Sequence, residues 1–579
     1  MTLPPLANLF AVHDEDPSSL AAIEADLEAS GEFAEVWRPA AGWVAAAAPL
    51  PRGEPDGRDV RGACLAFAEG RDIVGREFGA VAEVAERSPE RLASLPGDFG
   101  FVQVRPRGSA TVVRSCGGLA PFYLWRSNGR TGVSTRLGDF VRYLPDEPQL
   151  DPLVNAVWTT GHGLFPDGRT FLFGVTILDR GSFTRLEPGR PIVTERYWDP
   201  RPERLTPPSP ARLRDHAERL RRLLIDKLAR DLDPDGGNLL TLSGGVDSSS
   251  LGALAGGVVG RKVWTWSLLP APEDLFQHEM SYIAPLAERY GFERRWEVRL
   301  NAQTRIELLR STPRVAFHVI HPALCDLPRV LREAPVRVLF GGEFADEVCG
   351  SVLTLPDWAA HTSLVGLLAT LHELPTGPRD VLRWAKQRWL TLKRRPALPF
   401  PDELPDFIRA EIREEYREWL ERRRRDAARD GAPLRHLALR AEADGFVAMN
   451  WEATTALGVR RSFPFFNREV LELAFECHPA EVVGPGTKKL LRSAVREDVP
   501  ARNLGRVDKG QWGRYFDGAR LPWQASLPDT LACVIRSEWY SKRANSLAYH
   551  DVSALWQLRT FSDAVAARRR GSHAVVHDR

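Results

Sequence analysis

Short apolar runs closed by turn residues dominate the first 200 residues of the chain. These runs read GDFGFVQVRP, SATVVRSC, PFYLWRS, TGVSTRL, GSFTRLEPG and RPIVTERYW. Runs of this length, bounded by glycine, proline and aspartate, predict short strands of antiparallel sheet. The proline-rich stretch RPERLTPPSP follows them and predicts a domain boundary near residue 205.

After this boundary the pattern changes to alternating helices and buried strands. Apolar residues recur at helical spacing from Leu213 to Leu228, behind a helix start at Ser209 and Pro210. Buried strands are predicted at Asn238 to Leu242, in KVWTWSLL and in VRVLFGG, with a helix in HEMSYIAPLAERYG. Such alternation predicts a parallel sheet that binds ligands at the carboxyl ends of its strands.

Residues 356–440 are mostly helical in pattern and rich in arginine. Such a segment is typical of a solvated helical face, and it also suits a docking surface for a partner or a peptide. The pattern alone leaves both interpretations open.

Composition narrows the class of protein. A chain of 579 residues suggests two to four domains, and 43% hydrophobic with 27% charged residues is typical of a globular protein. The formal charge of +2 gives no global electrostatic case for a nucleic-acid partner. Neither a signal-peptide pattern nor a membrane-spanning apolar stretch is found. The six scattered cysteines, without metal-ligand spacing, favour reduced thiols and a cytoplasmic location.

The stretch LSGGVDSSS, residues 242–250, lies between a predicted strand and a helix predicted from Ser249. Gly244 and Gly245 allow a sharp turn and a close approach of the backbone to a ligand. The serine hydroxyls lie beside the unpaired N–H groups of a new helix, which together favour a bound anion. Asp247 would repel phosphates unless a cation such as Mg²⁺ lay between them. The alternative is a plain Gly-Ser turn that caps a helix.

A second loop, GGEFADE, follows the strand VRVLF. Gly341 and Gly342 end the strand and acidic residues follow, at the edge of the sheet where the first loop is expected. Asp247 and Asp346 are therefore predicted to share Mg²⁺ ions that bridge nucleotide phosphates. Taken alone, this loop also suits a turn with surface acids.

Clustered lysines occur in GTKKLLRSAVREDVP and in RVDKGQW. A helix with a basic face is the simpler interpretation. A lysine near a pyrophosphate, however, stabilises the negative charge that grows as the bond to the α-phosphate breaks.

Taken in order, these motifs resemble asparagine synthetase and its relatives over nearly the whole chain. LPGDFGFVQV, VVRSCGGLAPFYLW and FLFGVTILDRGSFTRLEPGRPIVTERYWDP resemble the amidotransferase-like domain, and LSGGVDSS, TWSLL, GGEFADE, LGVRRSFPFFN and TKKLLRSA resemble the synthetase domain. The resemblance implies a two-domain α/β and α+β fold. Residues 1–205 would form a degenerate class II glutamine amidotransferase-like domain, an antiparallel sandwich of the N-terminal-nucleophile type. Residues 206–579 would form a parallel-sheet ATP pyrophosphatase domain, like the adenine nucleotide alpha hydrolases, with a helical insertion at 356–440.

The same resemblance implies a site for ATP and Mg²⁺. Asp247 and Asp346 would bind the metal. Glu343 would take a proton from the attacking amine, Lys488 would stabilise the transition state and Lys509 would serve the pyrophosphate, while Glu279 matches an acid in the helix after the adenine strand. The nucleotide would be held by Leu242, Ser243, Gly244, Gly245, Asp247, Ser248, Ser267, Leu268, Gly341 and Gly342.

The chain departs from glutamine-hydrolysing relatives in ways that bear on its nitrogen source. Such enzymes need a cysteine directly after the initiator methionine, whereas this chain reads Met1, Thr2. LAFAEGRDIVG stands where the relatives carry the glutamine-binding segment NGEIYN, and Asn467 replaces the family's usual aspartate. The N-terminal domain is therefore expected to lack glutaminase activity, and the acceptor site is expected to be remodelled.

Without ammonia from glutamine, the nucleophile is expected to be an amine of the substrate. The β-lactam-forming relatives carry a tyrosine at the position of Glu343, which argues against them. A lasso-peptide cyclase fits best: a macrolactam synthetase of ribosomally synthesised, modified peptides. Its partners would be a precursor core peptide, a leader peptidase and a leader-binding protein. An asparagine synthetase fed by free ammonia, a catalytically silent binding protein and a tRNA-thiolating pyrophosphatase are the alternatives, the last disfavoured for want of paired catalytic cysteines.

Overall fold

In a computed structural model, two antiparallel sheets form the N-terminal half of the protein and a parallel sheet forms the C-terminal half. The structure describes residues 9–506 with gaps, together with residues 520–521, 534 and 547–548. The gaps are residues 34, 48–63, 70–86, 96–97, 145–148, 159–164, 201–205, 207, 301–321, 351–397, 399, 431–433 and 483–487. The expected succession of antiparallel and parallel sheets is confirmed, whereas a boundary near residue 205 stays a prediction.

Short strands build both N-terminal sheets, and each of the six apolar runs predicted there contains or overlaps one. One sheet has the strand order β2-β3-β1-β8-β7-β9 and the other has the order β11-β10-β6-β5-β4. The strands are β1 (Leu9–His13), β2 (Glu35–Trp37), β3 (Trp43–Ala47), β4 (Cys64–Glu69), β5 (Asp98–Val104), β6 (Ala110–Arg114), β7 (Tyr123–Ser127), β8 (Arg130–Ser134), β9 (Val175–Ile177), β10 (Ser182–Leu186) and β11 (Val193–Arg196). The helices of this half are α1 (Pro17–Ser30), α2 (Leu137–Tyr143) and α3 (Pro152–Trp158), with 3₁₀ turns at Pro89–Ser94 and Pro166–Gly168.

Five parallel strands form the C-terminal sheet in the order β14-β13-β12-β15-β16. They are β12 (Asn238–Thr241), β13 (Val263–Pro270), β14 (Arg295–Leu300), β15 (Val338–Phe340) and β16 (Arg460–Ser462), and a separate pair is formed by β17 (Arg520–Leu521) and β18 (Leu547–Ala548). The helices are α4 (Pro210–Asp231), α5 (Val246–Gly252), α6 (Glu273–Arg289), α7 (Pro322–Glu333), α8 (Ala345–Cys349), α9 (Ala410–Asp430), α10 (Leu434–Thr455), α11 (Arg468–Glu476), α12 (Pro479–Val482), α13 (Lys489–Ala494) and α14 (Ala501–Leu504). A π-helical segment, Ala253–Val258, continues α5.

Helix α4 begins where the sequence predicts. The Ser209 hydroxyl accepts a hydrogen bond from the backbone N–H of Arg212 at 3.2 Å, which caps the helix. Its apolar stripe is fully buried at Leu220, Leu224 and Leu228. This stripe packs in one apolar cluster with residues of the N-terminal sheets and of the parallel sheet.

Both faces of the parallel sheet are covered. Leu240 lies in the cluster shared with helix α4, whereas its neighbour Leu239 lies in a second cluster with Trp266, Leu327 and Val330. Successive residues of a strand point to opposite faces, so the continuous apolar run NLL is explained by burial on both sides.

The arginine-rich helix α9 is not simply a solvated face. Tyr416 and Trp419 are buried on its inner side. Glu415 pairs with Arg169 at 2.6 Å, and the Trp419 indole N–H donates to Asp167 at 3.2 Å. Helix α9 therefore docks on the N-terminal half, while residues 356–397 of the predicted helical insertion lie outside the described residues. Among the described helices, none is long and apolar enough to cross a membrane.

Candidate active site

Two glycine-containing loops leave the same edge of the parallel sheet. Strands β12 and β15 are hydrogen-bonded neighbours and run parallel, with Leu240 opposite Phe340. The loop after β12 carries the SGGVDS motif, and the loop after β15 carries GGEFADE. The predicted placement of both loops at one edge is therefore confirmed.

The first loop turns sharply into helix α5. Gly244 has φ +69°, a left-handed conformation, and an added Cβ would lie 2.8 Å from the Cβ of Tyr282. The Ser248 hydroxyl accepts from the backbone N–H of Ser243 at 3.1 Å. Helix α5 begins at Val246 and not at Ser249 as the apolar spacing suggests, so Asp247 and Ser248 lie in its first turn.

Lys488 joins the two loops. Its ammonium lies 2.8 Å from a carboxylate oxygen of Asp346 and also contacts Asp247 directly. Burial disfavours the charged amine, but the two carboxylates outweigh it and raise the pKa of Lys488 above its ordinary value. Lys488 has φ +54°, which is unusual for a residue with a side chain. Backbone strain of this kind concentrates at functional sites.

Close packing between the loops requires glycine. A Cβ added at Gly342 would lie 2.7 Å from the Cβ of Asp247, and one added at Gly341 would lie 2.1 Å from the hydroxyl of Thr241. Real Cβ atoms do not approach other atoms this closely. The two glycines thus hold the second loop against the first, and this contact places Asp346 beside Lys488.

Glu343 and Phe344 form the outer part of the second loop. Glu343 accepts a hydrogen bond from Arg461, a buried residue of β16. Phe344 has φ +67°, and its ring stacks on that of Phe466 at 4.3 Å. The stack stabilises a backbone conformation that phenylalanine rarely adopts. The position of Glu343 at this edge agrees with its predicted place, but its predicted role stays a prediction.

The residues expected to line the adenosine site lie at the end of β12 and within β13. Leu242 donates its backbone N–H to the backbone oxygen of Trp266 at 3.0 Å. Leu242 and Ser267 are buried and Leu268 is half-buried. The structure brings these residues to the same edge as the two loops, because β12 and β13 are adjacent parallel strands. Lys509, predicted at the pyrophosphate, lies outside the described residues.

Sequence reasoning missed two side chains that hold the first loop. Asn503 donates to the backbone oxygens of Gly244 at 3.1 Å and Tyr282 at 3.0 Å. Arg506 donates to the backbone oxygen of Ser243 at 3.2 Å and pairs with Glu279 at 2.6 Å. Arg506 belongs to the RVDKG motif, from which sequence reasoning selected only Lys509. The motif therefore indicated the correct segment, but the arginine in it was overlooked.

The donors at this edge suit a magnesium nucleotide. Asp247 and Asp346 both contact the ammonium of Lys488, so their carboxylates lie close together. Carboxylate oxygens are the ligands that Mg²⁺ prefers. These two residues are the ones that would hold the metal, which would neutralise charge between phosphate oxygens. Lys488 supplies a further positive charge at the same place.

Comparison with known families decides the class of protein. Residues 219–573 of the 579 residues match the family profile described as asparagine synthase, which is more than half of the chain. The chain belongs to the asparagine synthase family. As an asparagine synthase relative, it is an ATP-dependent, amide-forming ligase. The matched span includes both loops and Lys488. A search of curated proteins finds no match.

Two solved structures show a distant likeness to this asparagine synthase relative. The glutamine phosphoribosylpyrophosphate amidotransferase from B. subtilis is 10% identical, with 50% of this chain and 90% of that chain covered, at a TM-score of 0.23. The U34-tRNA thiolase NcsA from Methanococcus maripaludis is 14% identical, with 41% and 77% covered, at a TM-score of 0.19. At these TM-scores neither structure bears on the activity.

Proposed function

We propose that the protein is a macrolactam synthetase of lasso-peptide biosynthesis. A side-chain carboxylate of a leader-freed core peptide attacks the α-phosphate of ATP, giving an acyl-adenylate and pyrophosphate. The N-terminal amine of the same peptide then attacks the acyl carbon, an amide forms, AMP leaves and the amine loses a proton. The reaction removes one water from the peptide in total.

The contact of Lys488 with both Asp247 and Asp346 carries the adenylation half of this proposal. Two carboxylates at one sheet edge suit the metal of a magnesium nucleotide, and the lysine suits the negative charge that grows on the pyrophosphate. Asn503 and Arg506 donate hydrogen bonds to backbone oxygens of the first loop, which restrains the loop that would receive the phosphates. Magnesium and AMP release are parts of the proposal.

Glu343 supports the amide-forming half. It lies in the same loop as Asp346, and its Oε2 atom is buried with no hydrogen-bond partner in the described part of the chain. A carboxylate in this state suits acceptance of a proton from an incoming amine.

The N-terminal half gives no sign of an activated cysteine among its described side chains. Burial raises the pKa of the Cys116 thiol to about 12, so this cysteine stays protonated at neutral pH. Thr2 stands where glutamine-hydrolysing relatives carry the nucleophilic cysteine, which favours a substrate that brings its own amine. A core peptide is the proposed substrate, and a leader peptidase and a leader-binding protein are the proposed partners.

The test combines intact mass with nucleotide analysis. Purified protein is incubated with ATP, Mg²⁺ and a synthetic core peptide that has a free N-terminal amine and one internal Asp or Glu. We expect loss of one water from the peptide and a matching amount of AMP, and no loss of water from the N-acetylated peptide.

Two family reactions serve as competing outcomes. AMP formation with aspartate and ammonium alone favours an asparagine synthetase without glutaminase activity, which the family match supports as the second candidate. Water loss from a small amino acid, with the peptide unchanged, favours a β-lactam-forming enzyme. Either result rejects the macrolactam proposal.

A further inference from the structure

Arg461 is a buried cation that its protein neighbours satisfy only in part. The residue is 2% exposed, and its Nη2 atom donates to Oε1 of Glu343. Its Nε and Nη1 atoms are buried and make no hydrogen bond among the described residues. The ring of Phe463, with its centroid 4.8 Å from the guanidinium carbon, provides only a cation–π contact.

The hydrogen bonding of Glu343, the partner of Arg461, is also incomplete. Arginine and a carboxylate usually meet through two parallel hydrogen bonds, which use both oxygens. Here only Oε1 of Glu343 takes part, and Oε2 is buried without a partner in the same described region. A buried polar group without a partner destabilises the fold, so this geometry suits a site that a ligand completes.

The position of the pair links it to the candidate active site. Arg461 lies in β16 opposite Leu339 of β15, and Glu343 lies in the loop that leaves β15. An added Cβ at Gly341 would lie 2.5 Å from Oε2 of Glu343, so this carboxylate folds back over the end of the strand. The free donors of Arg461 and the free acceptor of Glu343 therefore lie at the same sheet edge as Lys488.

The charges indicate which ligand fits. The free N–H groups of Arg461 suit a carboxylate, and Oε2 of Glu343 suits an amine. A nucleotide phosphate would also suit the arginine, but the Glu343 carboxylate beside it would repel a polyanion. A substrate that offers one carboxylate and one amine matches both groups without excess charge.

We propose that Arg461 binds the substrate carboxylate that is to be activated, beside the Glu343 carboxylate that is already proposed to take the proton of the amine. This inference rests on the proposed amide-ligase function, and it assigns carboxylate recognition to a residue of the remodelled segment RRSFPFFN. Arg461 also places Glu343, because their hydrogen bond fixes the carboxylate over Gly341.

The test measures binding without turnover. Calorimetry is carried out on the full chain with ATP and, separately, with three small probes. Glutamate α-amide has both groups, N-acetylglutamate α-amide has only the carboxylate, and glutamine α-amide has only the amine. We expect R461Q to weaken both carboxylate probes at least about tenfold, as loss of a charge-assisted hydrogen bond implies. E343Q is expected to weaken the amine probes instead.

R460Q is the matched control, since Arg460 precedes Arg461 on β16 and bonds the backbone oxygen of Asp231 instead of the site. R460Q is expected to bind the probes as the unchanged protein does. Two further variants replace R461Q if that protein fails to fold. R461K keeps the charge, and the double variant R461Q/E343Q removes the whole pair. R461K is expected to recover part of the carboxylate affinity, and the double variant to lose both selectivities.

Three results would overturn the inference: no carboxylate-selective binding to the unchanged protein, equal binding by R461Q, or a loss of ATP affinity in R461Q in place of probe affinity. The first two make the pair a structural contact, and the third makes Arg461 a nucleotide ligand. The proposed function fails separately, because it depends on water loss from the peptide and these titrations need no reaction.

Discussion

Two buried lysines of this protein are each held between two aspartates, and their surroundings differ. Lys227 lies 3.4 Å from Asp98 and 3.1 Å from Asp231, and the three side chains are 3%, 3% and 9% exposed. Lys488 lies between Asp247 and Asp346, with side-chain exposures of 5%, 15% and 27%. The carboxylates are closed in around Lys227 and remain accessible around Lys488.

The backbone separates the two clusters further. Lys227 lies within the regular helix α4 and joins it to Asp98 of β5 in the N-terminal half. Lys488 has a left-handed backbone, and the neighbouring loop contains Phe344, another residue with positive φ. The same residue types thus form an enclosed structural ion pair around Lys227 and a strained, accessible cluster around Lys488. Exposure and strain distinguish a ligand site from a fold contact, whereas the side-chain set does not.

The largest effect is expected from changing both accessible aspartates. The variant D247N/D346N removes the charge that would hold Mg²⁺, so AMP formation from ATP is expected to fall by about a thousandfold or more. Its circular dichroism spectrum is expected to stay that of a folded protein, since the amide oxygens of both asparagines can still accept hydrogen bonds from Lys488. D235N, at a highly exposed aspartate, is the control. Retained AMP formation in the double variant would refute the placement of the metal.

The enclosed lysine is expected to act on stability and not on chemistry. K227M leaves Asp98 and Asp231 buried without their cation, which costs about 3–5 kcal/mol of unfolding free energy. Burial already raises the pKa of Asp98, and a raised carboxyl pKa means that stability is present at low pH and lost as pH rises. K227M is therefore expected to be relatively more stable at pH 5 than at pH 8 in denaturant titrations.

The AMP rate per folded molecule is the second readout for K227M. This rate is expected to match that of the unchanged protein, because the aspartates that pair with Lys227, Asp98 and Asp231, lie outside the two loops of the site. A lower AMP rate from fully folded K227M would show that the ion pairs of Lys227 also position the active site.

The sequence predicted the fold and the two loops because both depend on local patterns. Apolar runs predicted the strands, Ser209 predicted a helix cap, and the glycines of each loop predicted close approach of the backbone. Lys488 was identified only through the family resemblance, since a pair of lysines also suits a basic helix face.

Pairings between distant residues were not predictable from the sequence. The contact of Arg461 with Glu343 depends on the packing of the parallel sheet. The contacts of Arg506 with Ser243 and Glu279 depend on the packing of the segment after helix α14. Nothing in the local spacing of these residues encodes such contacts. The start of helix α5 at Val246 was also missed, because glycine and serine in the loop mask a first turn that tertiary packing stabilises.

Lys488 is expected to act on chemistry with little effect on stability, the reverse of Lys227. K488M removes a positive charge from the place where pyrophosphate charge grows, so AMP formation is expected to fall about a hundredfold, equivalent to roughly 3 kcal/mol. Because Asp247 and Asp346 are partly exposed, the fold tolerates their repulsion. K488R keeps the charge and is expected to recover part of the rate. A drop in thermal stability as large as that of K227M would remove the distinction between the clusters.

Glu452, a buried acid that Tyr123 contacts from the N-terminal half, gives the smallest expected effect. Burial raises the pKa of Glu452 from its ordinary value of 4.5 to about 7, although Tyr123 and the backbone N–H of Leu137 donate to it. A carboxyl pKa raised in the folded state means that the stability contributed by protonated Glu452 is full below pH 4.5 and is lost as pH rises to about 7. Glutamine at this position cannot ionise. E452Q is therefore expected to reduce the difference in unfolding free energy between pH 5 and pH 8 by on the order of 2 kcal/mol. Denaturant titrations at pH 5 and pH 8 check this: an unchanged pH dependence would show that Glu452 stays ionised in the fold, and an altered AMP rate would show that the contact reaches the active site.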